Sequence, residues 1–203
     1  MTAKTRWAGI ATVALAAMTV GGSAWAHPGH PDGAGFLVGF VHPWTGIDHL
    51  IAMVAVGLWA AQQGGRKVWL LPLMFIAGMV VGASIAWSGV SLPWVEGAIA
   101  TSVVVLGCLI ALLARLPLAV GATVVGVMAV FHGYAHGSEA TGANTLSYAA
   151  GFALATLLLH AIGVGAGLSL GRLRATQNKP VRVAYAVGGS AIAVVGLALL
   201  SAV

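Results

Sequence analysis

Long apolar runs separated by short polar punctuation dominate this chain. After the polar stretch "HPGHPDGAG" at 27–35, apolar segments run over approximately 35–62, 68–88, 92–113, 117–137, 145–171 and 182–202. Each reaches the ~20 residues that a helix needs to cross the hydrocarbon core of a membrane. Backbone groups in lipid have only each other to bond, so each run is predicted to be a helix. The expected fold is therefore all-α: a polytopic bundle of six transmembrane helices over residues 35–203. The first 26 residues read differently. Lys4 and Arg6 precede the apolar run "WAGIATVALAAMTV", and "GGSAWA" places Ala24 and Ala26 at small-residue cleavage positions. That is the pattern of a cleaved secretory signal peptide, 1–26, with a mature chain starting at His27 and a periplasmic N-terminal segment over 27–34.

Composition agrees with a membrane class. Of 203 residues 60% are hydrophobic and 6% charged, with a mean hydropathy of +0.99. The 29 glycines suit helices that pack backbone to backbone in lipid. Charge then orients the bundle. Arg66 and Lys67 fall in the first loop, Arg115 in the third, and Arg172, Arg174, Lys179 and Arg182 in or beside the fifth. Those are the Lys and Arg residues of the mature chain, and the positive-inside rule places their loops in the cytoplasm and both mature ends in the periplasm. The basic balance is thus a topology signal, and no soluble basic domain supports nucleic-acid binding. "GVGAGL" at 163–168 lies inside a span and is no nucleotide loop. Cys108 has no second cysteine to pair with and reads as a buried packing residue.

Ionisable groups inside spans are costly and mark functional sites. The first span carries His42, Asp48 and His49, with Met53 one turn further. The fourth carries "FHGYAHGSE", where His132, His136 and Glu139 follow an i, i+4, i+7 spacing, and the fifth carries His160. On continuous helices, His42 and His49 share one face, as do His132 and Glu139. At ~1.5 Å per residue, His42 and His49 lie about 10 and 20 Å in from the outer end of the first span. Imidazoles with carboxylates suit borderline divalent metals such as nickel, cobalt, copper and zinc. Asp48 can also act behind a ligand, fixing a histidine tautomer and raising its basicity. Met53 reads as core with a ligand role as the alternative, and His160 as either an interhelical partner or an inner ligand. Glu96 reads as an interfacial residue. Pro43 and Gly46 interrupt the first span, as in transporters whose broken helices build midplane sites. Spans one to three and four to six are candidates for an inverted repeat.

"HPWTGIDHL" and "FHGYAHGSE" resemble the motifs of the HupE/UreJ family of bacterial membrane proteins. The pattern His-Pro-x-x-Gly-x-Asp-His falls on His42, Pro43, Gly46, Asp48 and His49, and the second motif on His132, Gly133, His136 and Glu139. The resemblance extends to the signal peptide and the six-span layout. It implies an inner-membrane secondary permease for nickel, in some members cobalt, encoded with hydrogenase or urease genes. The implied function is transport with no enzymatic step and no required cofactor, the metal being the cargo. In the mature start "HPGHPDG", His27 and His30 with Asp32 form a candidate weak collection site. The alternative class is a haem-binding electron-transfer protein using paired histidines as axial ligands. An intramembrane metalloprotease lacks support, since no H-E-x-x-H occurs.

Overall fold

A computed structural model describes residues 35–140, 144–172 and 179–203. Its helices are α1 (Phe36–Thr45), α2 (Ile47–Gln63), α3 (Lys67–Trp87), α4 (Val95–Ala111), α5 (Leu118–Glu139), α6 (Thr145–Arg172) and α7 (Lys179–Leu200). The proposed signal peptide and the segment with His27, His30 and Asp32 lie outside the described residues.

The helices fall where the apolar runs predict them, but they do not make six equal spans. α3, α5, α6 and α7 are each long and apolar enough to cross a membrane. The first apolar run is instead two helices, α1 and α2, that meet at 85° and qualify only as a bent pair. α4 has 17 residues, ~25 Å at 1.5 Å per residue, which is shorter than the ~30 Å of a hydrocarbon core. Among the described residues there are thus four candidate spans, or five with the bent pair, and the chain is a multi-pass membrane protein.

The bend has a local cause. Pro43, inside α1, has no N–H to continue the helical ladder. Gly46 then adopts φ −85° and ψ 114°, an extended conformation that ends α1 and starts α2. The interruption expected at Pro43 and Gly46 is thus present as an 85° bend, which corrects the shared face read from a continuous helix. His42 and His49 reach the same region because the chain turns between them, so the seven-residue spacing does not explain their meeting. The depths derived from a straight helix fall with it.

Packing is built on close backbone approach. α3 lies along α5, α4 along α7, and α1 and α2 along α6. At each crossing, glycines face backbone. A methyl at Gly57 would strike the His160 carbonyl, and one at Gly163 the Val54 carbonyl. Gly82 meets the backbone at Val130, Gly133 that at Met79, and Gly107 and Gly189 meet one another's helices. The "GVGAGL" run thus serves helix packing through Gly163 and Gly167, both of which abut α2. Trp59, Phe75, Met53 and Leu71 are fully enclosed. Large apolar side chains such as Leu73, Val80, Val127 and Leu197 point outward, as they should where lipid is the solvent. Met53 is core, as expected. Cys108 is not: it is exposed on α4, facing away from the partner helices, so the sequence-based reading of a buried thiol is corrected.

One end of the bundle is tied by polar bonds. Trp59 Nε1 and Gln63 Nε2 both donate to the Ala114 carbonyl, at 3.1 and 2.6 Å. Leu116 N–H donates to Gln63 Oε1, and Lys67 Nζ donates to the Leu116 carbonyl at 2.6 Å. The α2–α3 turn and the α4–α5 loop, which carry Arg66, Lys67 and Arg115, therefore share this end.

Candidate metal site

The opposite end holds the ionisable residues. His42 on α1, one turn before the break, and His136 and Glu139 in the last turn of α5 converge there. Glu139 Oε2 lies 3.3 Å from His42 Nε2 and 3.4 Å from His136 Nδ1. Ligand atoms of the three fall within 4.8 Å of one another. Two atoms each ~2.0–2.1 Å from one ion stand about 2.9–3.4 Å apart, so the two separations from Glu139 Oε2 suit a shared metal. Among the described residues neither nitrogen of His136 has a hydrogen-bond partner. The side chains of His42 and Glu139 retain 23% and 21% of their exposure against 5% for His136, so the triad forms a mouth with His136 at its floor.

Below the triad the rings continue inward in contact. His49 stands 4.2 Å from His136 and 5.0 Å from His132, ring centre to ring centre. Phe75 then lies 5.4 Å from His132 and 5.1 Å from His160. His49, His132 and His160 are all buried. The site is thus a file of imidazoles that runs from a partly open mouth to an enclosed interior, with Phe75 set between its last two members.

The break at Gly46 arranges the middle of this file. It makes Asp48 and His49 the first-turn residues of α2, where Asp48 Oδ1 accepts from His49 N–H at 2.8 Å and from His49 Nδ1 at 2.7 Å. The carboxylate thereby holds the ring proton on Nδ1 and leaves the lone pair of neutral His49 on Nε2, which is buried and has no hydrogen-bond partner among the described residues. A Cβ at Gly46 would stand 3.1 Å from Asp48 Oδ1 and 3.2 Å from His49 Nδ1, so glycine leaves room for this pair.

A comparison of the whole sequence settles the kinship. The profile of the HupE/UreJ proteins matches residues 13–199. The chain belongs to this family. A HupE/UreJ relative, Protein HupE of Rhizobium leguminosarum bv. viciae, is 44% identical over 191 residues, covering 93% of this chain and 96% of its own. No solved structure matches.

In this HupE/UreJ chain the residues singled out from sequence separate into groups. His42, His136 and Glu139 form the triad, while Asp48, His49 and His132 lie in the enclosed part of the file. His160 ends it with both ring nitrogens unpartnered, so the interhelical hydrogen bond considered for it is absent among the described residues. Met53 contributes to the core. Glu96, taken from sequence as interfacial, is half-buried in the first turn of α4 and close enough to Asp48, His49 and Glu139 to interact electrostatically with each. Phe75 and Ser102 escaped the sequence reading. A lone Phe in an apolar span and a lone Ser beside Thr101 carry no periodic or charge signal, and only the packing of α3 and α4 against α5 brings them to His132.

Proposed function

We propose that this HupE/UreJ protein is a secondary permease that carries a divalent transition-metal ion, nickel or alternatively cobalt, across the bacterial inner membrane. The observation that carries this reading is the convergence of His42, His136 and Glu139 at a partly open mouth that leads into enclosed imidazoles. The ion is received by the triad, passed to His49 and His132, and released past Phe75 and His160. Asp48 orients His49 from behind, in the manner of carboxylates that back metal-binding histidines. In this reading α4 completes a sixth span, and the basic loops face the cytoplasm with both mature ends in the periplasm. The mouth then opens outward, because Arg66, Lys67 and Arg115 mark the other end. Cleavage after Ala26 would free His27 and His30 to collect metal near that mouth. The membrane potential supplies ~2.3 kcal/mol per charge per 100 mV, and about twice that for a divalent ion.

The pairings of α2 with α6, α3 with α5 and α4 with α7 support an inverted repeat. Swapping the first three spans with the last three exchanges the first two pairings and maps the third onto itself. The haem alternative draws less support. The imidazoles touch one another, and His42 lies 3.3 Å from the Glu139 carboxylate.

Uptake of nickel and cobalt by metal-starved cells tests the proposal, comparing wild type with His49→Ala at equal membrane abundance. Uptake by wild type and its loss in the variant are expected. Equal uptake in both, or none in either, would refute transport through this file. Because neutral imidazole is the ligand form, uptake is also expected to fall as the external medium is made acidic enough to protonate the site histidines.

A further inference from the structure

Ser102 lies on α4 and is 1% exposed, with its hydroxyl set between two partners. The Ile99 carbonyl is 2.7 Å away and His132 Nε2 is 2.9 Å away. A hydroxyl has one proton to give, and a carbonyl oxygen can only accept. The contact to Ile99 therefore takes that proton, and toward His132 the same oxygen must accept. Nε2 of His132 then carries the ring hydrogen, and in the neutral imidazole the lone pair is left on Nδ1. The opposite tautomer would set two acceptors against each other in an enclosed place, which is costly.

Nδ1 of His132 is buried and has no hydrogen-bond partner among the described residues. The residue is wholly enclosed, with the rings of His49 and Phe75 against it. We infer that Ser102 is a positioning residue of the metal path, holding the His132 proton on Nε2 so that the Nδ1 lone pair stays available to a divalent first-row ion. The inference rests on the permease reading above and adds to it a residue outside both histidine motifs. It also ranks the ligands. Asp48 backs His49 with a carboxylate, which strengthens a ligand, whereas Ser102 backs His132 with a neutral hydroxyl, which strengthens it less. Metal held by His132 is then held more loosely than metal held by His49.

Two measurements on the full-length protein test this. In metal-free protein with 15N-labelled histidine, NMR of the ring nitrogens is expected to show His132 protonated on Nε2. A proton on Nδ1 would overturn the inference whatever the metal does. Co(II) titration followed by visible absorption is expected to show binding about 10–100-fold weaker in Ser102→Ala, the usual effect of losing a group behind a metal ligand. Ser102→Thr, which keeps the hydroxyl, is expected to bind close to wild type. Adding Ser102→Ala to His132→Ala is expected to weaken binding no further, because Ser102 acts through that ring. Undiminished binding in Ser102→Ala, or additive losses in the double variant, would refute the role. Absence of Co(II) binding by wild type would instead overturn the permease reading, and with it the metal role of Ser102, while the tautomer assignment stands or falls on its own spectrum.

Discussion

At the scale of single residues, His49 shows how much rests on a neighbour. Its Nε2 is available because Asp48 accepts the Nδ1 proton, and Asp48 is placed to do so because Gly46 breaks the helix immediately before it. Asp48→Asn keeps the shape but loses the charge. Metal affinity is expected to fall about 10–100-fold with the fold intact, read by isothermal titration beside a thermal melt. Gly46→Ala is expected to lower affinity as well, since the added methyl would press on Asp48 and His49 at 3.1 and 3.2 Å. Much of this was legible in the sequence, because charge inside an apolar run is conspicuous wherever it occurs. His42, Asp48, His49, His132, His136 and Glu139 stood out for that reason, and all six line the file. Ser102 and Phe75 did not, because their residue types are ordinary in a membrane helix and their meaning comes from what lies across the interface. Glu96 stood out but was set aside, since a position near a helix end does not reveal which way the end points.

At the scale of the helix, the apolar runs gave the positions of the elements to within a few residues, while the 85° bend between α1 and α2 lay beyond them. Hydropathy has no direction, so a bent pair and a straight span read alike. Pro43 and Gly46 announced an interruption without its angle. Contact between helices depends on glycines, and their effect separates by which way they face. Gly163→Ala on α6 would drive a methyl into the Val54 carbonyl, and is expected to lower the melting temperature in detergent. Gly165→Ala, two residues away, meets nothing within 4 Å. It is expected to leave stability unchanged or raise it by about 0.5–1 kcal/mol, the helix preference of Ala over Gly. Equal effects at the two positions would contradict the crossing of α6 on α2.

At the scale of the whole molecule, the basic loops and the histidine mouth sit at opposite ends, and this makes orientation measurable. In a Cys108→Ser background, a membrane-impermeant maleimide added to spheroplasts is expected to label Ser201→Cys, and Arg66→Cys only after lysis. The reverse pattern would turn the mouth toward the cytoplasm and contradict uptake. The partner order, α2 with α6, α3 with α5 and α4 with α7, bears on how such a chain is made. Roughly eighty residues separate the end of α2 from the start of α6, which is about 4–16 s of synthesis at ~5–20 residues per second. Throughout that interval α2 sits in the bilayer with Gly57 uncovered by the α6 backbone it packs on. A ribosome stalled after α4 would leave a fragment lacking its principal partner for each of α2, α3 and α4, a natural target for membrane proteases, and the histidine file comes into being only as the chain nears its end.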